Sequence, residues 1–105
     1  MIKVTFTERG HKLSLRVKGH ARYAEHGKDI VCASASILAY TLSYVVGRLD
    51  GVELTENFTS GDTTIECECA DEQTFISVKN AYNHTKVGYA LLQRNYPQYV
   101  RLIES

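Results

Sequence analysis

The sequence predicts an α+β fold in which two helices pack on a mostly antiparallel sheet. Several segments alternate apolar and polar residues, as strands with one buried face do, and two longer segments repeat apolar residues every three or four positions. Glycine-containing turns separate these segments. The predicted order is strand, strand, helix, strand, strand, helix, strand. A length of 105 residues indicates one domain over residues 1–105.

The first two strands form a predicted hairpin that ends just before a histidine. The inward residues are Ile2, Val4 and Phe6 in one strand and Leu13, Leu15 and Val17 in the other. Gly19 ends the second strand and His20 follows it. Strict alternation would point His20 away from the core, but a glycine permits a bend that re-aims the next side chain. Alternation alone leaves the direction of His20 open.

The first helix is predicted to begin after Asp29, whose carboxylate can cap the backbone donors of the first turn. The predicted core face consists of Val31, Ala35, Leu38, Leu42, Val45 and Leu49. A neighbouring strip of small residues consists of Cys32, Ser36, Ala39, Ser43 and Gly47. Asp50 and Gly51 are predicted to end the helix.

The second half of the chain repeats the pattern. A third strand is suggested by Val52, Leu54 and Phe58. A fourth strand would have Ile65, Cys67 and Cys69 on its inward face. The second helix is predicted to start after Asp71 and to bury Phe75, Val78, Tyr82, Tyr89, Leu92 and Tyr96. Gly88 predicts close packing, against the strip of small residues. Pro97 should end this helix, before a last strand over residues 98–104.

Composition excludes several classes of protein. Twelve basic residues balance twelve acidic ones, so no overall charge attracts nucleic acid. Neither a signal peptide nor a run of about 20 apolar residues is present, which predicts a cytoplasmic protein without membrane contact. The three cysteines are predicted to be free thiols. Cys67 and Cys69 are two apart on a strand, too far for a disulfide.

The segment from Gly19 to Ser36 has the residues that thiol chemistry needs. Cys32 occupies the third position of the predicted helix, where unpaired backbone donors and the macrodipole stabilise a thiolate. His20 follows the second predicted strand, twelve residues before Cys32. It could take the thiol proton and return it to a leaving group. His26 is a second candidate base. A buried structural cysteine and a solvated histidine remain the simpler interpretation of each residue alone.

Metal and cofactor chemistry are not predicted. A tetrahedral zinc site would need further ligands beside Cys67 and Cys69, and the usual two-to-four-residue ligand spacing is missing. No cofactor motif is present. The shared strand face of these two cysteines is explained by burial in the core.

Three motifs resemble the ribosomal-processing cysteine protease family. They are Gly-His-Ala at residues 19–21, Gly-Lys-Asp-Ile-Val-Cys-Ala at 27–33 followed by Ser36, and Tyr-Pro-x-Tyr at 96–99. The resemblance implies a bacterial cytosolic homodimer that removes the N-terminal extension of a large-subunit ribosomal protein, cutting after an aromatic residue. A phage structural protein with a similar leader is an alternative substrate.

The resemblance also implies roles for residues. Cys32 would be the nucleophile and His20 the general base and acid, with Asp29 and Ser36 in support. The substrate loop would consist of Ala21, Arg22, Tyr23, Ala24, Glu25, His26, Gly27 and Lys28. We expect backbone donors at the helix start, including the amide of Cys32, to hold the oxyanion.

Two rival functions remain open at this point. A small α+β domain could be a non-catalytic ribosome- or RNA-binding module, although phosphate binding relies on concentrated Lys and Arg. A redox-sensing thiol protein would also need a reactive cysteine. It would lack a nearby resolving cysteine, because Cys67 and Cys69 are predicted to be buried.

Overall fold

The computed structural model describes residues 1–25 and 27–104, so the predicted second base, His26, lies outside the described residues. The elements are β1 (Ile2–Arg9), β2 (Lys12–Lys18), α1 (Ile30–Val46), β3 (Val52–Thr59), β4 (Asp62–Cys69), α2 (Glu72–Asn95) and β5 (Val100–Glu104). Their order and the α+β class confirm the prediction. Among the described residues, neither helix has the length and apolarity needed to cross a bilayer.

The five strands form one sheet in the order β3-β4-β2-β1-β5. Three neighbouring pairs are antiparallel, and β5 runs parallel to β1. β2 therefore lies at the centre of the sheet, with Lys18 at its end paired with Asp62 at the start of β4. This pairing brings the chain after β2, where His20 follows, against the turn between β3 and β4.

Both helices cover the sheet face that carries the inward strand residues. Val4, Leu15, Ile65 and Cys67 are fully buried beneath them. The predicted caps are confirmed: the Asp29 carboxylate accepts hydrogen bonds at the start of α1, and the Asp71 carboxylate does so at the start of α2.

Two tyrosines of α2 place their hydroxyl groups inside this core. Tyr89 donates a hydrogen bond of 2.7 Å to the backbone oxygen of Ala35 in α1. The Tyr82 hydroxyl lies 3.0 Å from the backbone oxygen of Ile65 and 3.2 Å from that of Leu13. Burial raises the pKa of both phenols above its usual value. These hydroxyls satisfy buried carbonyl groups and lock the helices to each other and to the sheet.

Cys67 and Cys69 are buried and unbonded, as predicted. Burial raises the pKa of both thiols, so each stays protonated at neutral pH. This places both cysteines in the core and separates them from the chemistry considered for Cys32.

The inward face of α1 differs from the prediction. Val45 is 45% exposed, whereas Val46, Ala39 and Ser43 are buried. Val46, four residues after Leu42, faces the core in place of Val45, and α1 ends at Val46. The predicted strip of small residues therefore belongs partly to the core face.

Gly88 of α2 does allow close packing, although its neighbour differs from the predicted one. A Cβ atom at Gly88 would lie 2.6 Å from Cδ2 of Leu38. Leu38, and not the strip of small residues, therefore fills the space that this glycine leaves.

Candidate active site

The chain bends sharply at Gly19, immediately before His20. Gly19 has φ +100°, and a Cβ atom there would lie 2.4 Å from the backbone oxygen of Met1. Two hydrogen bonds of 2.8 Å hold the bend, from the Gly19 amide to the Gly61 oxygen and from the Met1 amino group to the His20 oxygen. Only glycine fits this position, because both the backbone angle and the close approach exclude a side chain.

Cys32 is the third residue of α1 and is half-buried. Its Sγ atom accepts a hydrogen bond of 3.4 Å from the backbone amide of Ala21. The segment that follows His20 therefore folds back over the helix start, and a backbone donor points at the sulfur.

His20 and Cys32 line the same cleft, which has a volume of about 560 Å³. The bend at Gly19 thus turns His20 toward the cleft that holds the thiol, which the proposed chemistry requires. The structure shows no hydrogen bond between the His20 ring and Sγ of Cys32, both of which it describes. The two groups share a cleft without direct bonding in this state.

Asp29 connects the helix start to the preceding loop. One carboxylate oxygen accepts hydrogen bonds of 3.0 Å from the amides of Val31 and Cys32. The other accepts bonds from the amides of Tyr23, at 2.9 Å, and Ala24, at 3.4 Å. Partial desolvation raises the pKa of Asp29, but the backbone hydrogen bonds outweigh it and hold the pKa below its usual value.

The cap at Asp29 changes the expected oxyanion site. The Cys32 amide was expected to help to hold the oxyanion, yet it already donates to Asp29. The next amide, that of Ala33, donates to the Asp29 backbone oxygen. The prediction for the Cys32 amide is therefore wrong for this structure, and the donor aimed at the sulfur is the Ala21 amide.

The remaining predicted site residues lie around the cleft, and they differ in how closely they pack against the rest of the protein. Ser36 is exposed and lines the cleft one helical turn beyond Cys32. Tyr23 packs edge-on against Tyr96 and Tyr99, with ring centroids 5.6 Å and 5.2 Å away. In this structure the described part of the predicted loop is tied to both the helix start and the C-terminal segment.

The other described residues of the loop are exposed, except Ala21. Arg22 has φ +58°, unusual for a residue other than glycine. Glu25 pairs with Lys28 at 3.0 Å, and the Lys28 amide donates to the Glu25 oxygen. Ala24 and Gly27 line the cleft.

The cleft is also lined by residues that the sequence did not predict to belong to the site. The turn between β3 and β4, residues 59–62, lines the cleft together with Phe58 and Tyr40. The rings of Tyr40 and Phe58 lie 4.9 Å apart, and both are exposed. Two exposed aromatics in amphipathic elements were a signal, but only the sheet order shows that they border the cleft.

Cys32 and His20 place a thiol near a helix start and an imidazole in the same cleft, and thiol hydrolases use these two groups. No group of three or more His, Cys, Asp or Glu side chains in the described ranges is arranged to hold a metal ion. Fold and cleft together are those of a small α+β protein with a candidate thiol–imidazole site.

Comparison with known protein families identifies the family of this chain. The family profile described as cysteine protease Prp matches residues 1–101. The chain therefore belongs to the cysteine protease Prp family. A comparison with curated protein sequences gives no significant match.

Solved structures share the fold. The Staphylococcus aureus ribosomal processing protease Prp, in complex with a covalently linked product peptide, has a TM-score of 0.84 and 23% identity, with both chains fully covered. The same protease with a substrate peptide has a TM-score of 0.77 and 22% identity, again over both full chains. A Streptococcus mutans protein has a TM-score of 0.71 and 28% identity, covering 99% of this chain and 93% of its own.

Proposed function

We propose that this protein is a cysteine endopeptidase that removes the N-terminal leader of a large-subunit ribosomal protein, with Cys32 as nucleophile and His20 as general base and acid. The observation that carries the proposal is the shared cleft, in which both side chains lie within a chain of the cysteine protease Prp family. Asp29 and Ser36 are supporting residues, and no cofactor is needed.

The reaction would proceed in two stages. His20 accepts the proton of the Cys32 thiol, and the thiolate attacks the carbonyl carbon of the scissile peptide bond. The C–N bond then breaks, and the imidazolium of His20 gives its proton to the departing amine. Water, activated by His20, hydrolyses the thioester and restores the thiol.

The structure supports the Ala21 amide as an oxyanion donor. This amide lies 3.4 Å from Sγ of Cys32 and points at it. Attack by sulfur forms the oxyanion on the carbon that is bonded to that sulfur, so the oxygen develops next to the same donor. A preorganised backbone N–H at such a position is typically worth about 3 kcal/mol of transition-state stabilisation.

The substrate assignment rests on the family and on the lining of the cleft. The related S. aureus protease was solved with a substrate peptide and with a covalently linked product peptide. Here the exposed rings of Tyr40 and Phe58 offer an apolar surface at the cleft. That surface suits an aromatic side chain beside the scissile bond, and a phage structural protein with a similar leader would bind in the same way.

A homodimer in the cytoplasm is the remaining part of the proposal. Exposed apolar side chains lie on both helices, among them Ile37 and Tyr44 of α1 and Val87 and Leu91 of α2. Their spacings of seven and four residues place each pair on one side of its helix. Burying these stripes against a second copy would remove them from water. Sedimentation velocity of the wild type and of Leu91→Glu would test this: a dimer that Leu91→Glu splits supports it.

The catalytic assignment is tested by incubating the protein with a panel of aromatic-containing leader peptides and analysing the products by mass. Cys32→Ala and His20→Ala should each abolish cleavage. Cys69→Ala and His84→Ala are the matched controls, because Cys69 is buried away from the cleft and His84 is exposed on α2. Full activity in either cleft variant contradicts the dyad. If no peptide of the panel is cleaved and the protein binds RNA in a salt-sensitive way, the result favours the RNA-binding module. Reversible oxidation of Cys32 without cleavage favours the redox sensor.

A further inference from the structure

We propose that Gly61, in the turn between β3 and β4, is a positioning residue that sets the ring orientation of His20. The inference rests on the proposed function, in which His20 transfers protons to and from Cys32. It assigns a role in the reaction to a hairpin turn that none of the matched sequence motifs includes.

The contact between Gly61 and His20 leaves no room for a side chain. A Cβ atom at Gly61 would lie 2.6 Å from Nε2, 3.1 Å from Cε1 and 3.3 Å from Cδ2 of His20. Three ring atoms are therefore within contact distance of the place that a methyl group would occupy. Any other residue at this position must displace the imidazole.

The same turn also holds the backbone that carries His20. The Gly61 oxygen accepts a hydrogen bond of 2.8 Å from the amide of Gly19. The next residue, Asp62, pairs with Lys18 in the register of β2 and β4. The turn thus fixes the bend from which His20 projects and limits its side chain at the same time.

The turn itself is well braced. The Thr59 hydroxyl donates a hydrogen bond of 2.9 Å to the backbone oxygen of Asp62, and the Asn57 amide donates one of 3.2 Å to the same oxygen. The carboxylate of Asp62 pairs with Arg16 at 3.2 Å. A braced turn can act as a fixed surface for the imidazole, where a mobile one could not.

No hydrogen bond to a described residue restrains the imidazole. His20 is exposed, and its ring makes no hydrogen bond to another described residue. The close approach of Gly61 limits ring rotation toward the turn between β3 and β4. Since the ring must align with both the thiol and the leaving amine, this restriction favours the reactive geometry.

The chain offers a matched control for the test. Gly10 lies in the two-residue turn between β1 and β2 with φ +59°, close to the φ of +73° at Gly61. A Cβ atom at Gly10 would have nothing within 4 Å. Gly61→Ala and Gly10→Ala therefore carry a similar backbone penalty, but only the first moves His20.

The experiment measures peptide cleavage and the rate of Cys32 alkylation by iodoacetamide, each as a function of pH. For Gly61→Ala we expect kcat to fall about 10- to 100-fold with KM little changed, because misplacement of a reacting group by about 1 Å can cost that much. The limb of the alkylation profile that His20 controls should also shift. Gly10→Ala should lose as much thermal stability as Gly61→Ala does. It should nevertheless match the wild type in both cleavage and the alkylation profile.

Further variants separate the possible outcomes. In a His20→Ala background, adding Gly61→Ala should not change the residual alkylation rate, because the glycine acts through the ring. If Gly61→Ala does not fold, Gly61→Asn and Gly10→Asn replace the pair, since asparagine tolerates positive φ. Equal cleavage and equal pH profiles for the two members of a pair overturn the positioning role. Full cleavage by His20→Ala instead overturns the proposed function. This result is distinguishable from failure of the positioning role, which shows in the comparison of Gly61 and Gly10 variants.

Discussion

Replacing Asp29 by asparagine should separate the two tasks of this residue. One carboxylate oxygen caps α1 through the amides of Val31 and Cys32, and the other holds the loop through the amides of Tyr23 and Ala24. Asparagine keeps one acceptor oxygen, so it can still cap the helix. Its NH2 group would face the loop amides of Tyr23 and Ala24, and because both groups are donors no hydrogen bond could form. Asp29→Asn should therefore release the loop while α1 stays intact.

The magnitude follows from the hydrogen bonds that are lost. Losing the loop bonds, of which the one to Tyr23 at 2.9 Å is the stronger, should cost about 1 kcal/mol for Asp29→Asn. Asp29→Ala also loses the cap, which adds about 1 kcal/mol. For a domain of this size the two variants should lower Tm by about 5 °C and 10 °C.

Thermal unfolding followed by circular dichroism measures these losses, and hydrogen exchange at the Tyr23 amide reports the loop directly. Asp71→Asn is the control, because Asp71 caps α2 through the Thr74 amide and holds no loop. It should be close to neutral. Equal Tm values for Asp29→Asn and the wild type, with unchanged exchange at Tyr23, would refute the loop restraint.

The pH dependence gives the same restraint a second signature. The pKa of Asp29 is lower in the folded protein than in the unfolded chain. Its contribution to stability is therefore fully present above about pH 4 and is lost as the pH falls through the folded value. Asp29→Asn should remove this part of the acid sensitivity.

Two further predictions concern the buried groups. Native protein should react with a thiol reagent at one site, Cys32, and at three after unfolding, because Cys67 and Cys69 are 0% and 5% exposed; three reactive thiols in the native state would contradict the core assignment. Tyr89→Phe should lose about 1 kcal/mol of stability, because the carbonyl of Ala35 loses its hydroxyl partner. Burial raises the pKa of Tyr89, so stability should be complete below about pH 10 and decline as the pH rises toward the folded value. Urea titrations at pH 7 and above pH 10 check both statements, and an equal alkaline loss in Tyr89→Phe would contradict the second.

Local patterns predicted much of the fold. Alternation located the strands, and the caps at Asp29 and Asp71 gave the starts of both helices. The two-residue alternation of apolar and polar residues also predicted that Cys67 and Cys69 lie in the core, where they are buried. Each of these features depends on residues close together in the sequence, which is why sequence patterns contain them.

Features set by distant contacts were missed. The neighbours β2 and β4 are far apart in the chain, so nothing local showed that Gly61 would contact His20. The exposure of Val45 depends on which of two similar helix stripes the sheet covers. The bend that Gly19 permits was predicted, whereas its anchors, the Met1 amino group and the Gly61 oxygen, come from distant parts of the chain.

The oxyanion prediction failed for a different reason. A helix start was expected both to be capped by Asp29 and to leave the Cys32 amide free, yet the two roles compete for the same donor. Counting donors at the first turn would have shown the conflict. The structure offers the Ala21 amide in its place.

Trapping the acyl-enzyme tests the central claim most directly. Wild-type protein is mixed with an aromatic-containing leader peptide, quenched with acid within the first turnover and digested for mass analysis. We expect a thioester between Cys32 and the carboxyl end of the leader fragment, which neither Cys32→Ala nor His20→Ala forms. Cleavage that proceeds without this adduct, or an adduct on Cys67 or Cys69, would contradict it.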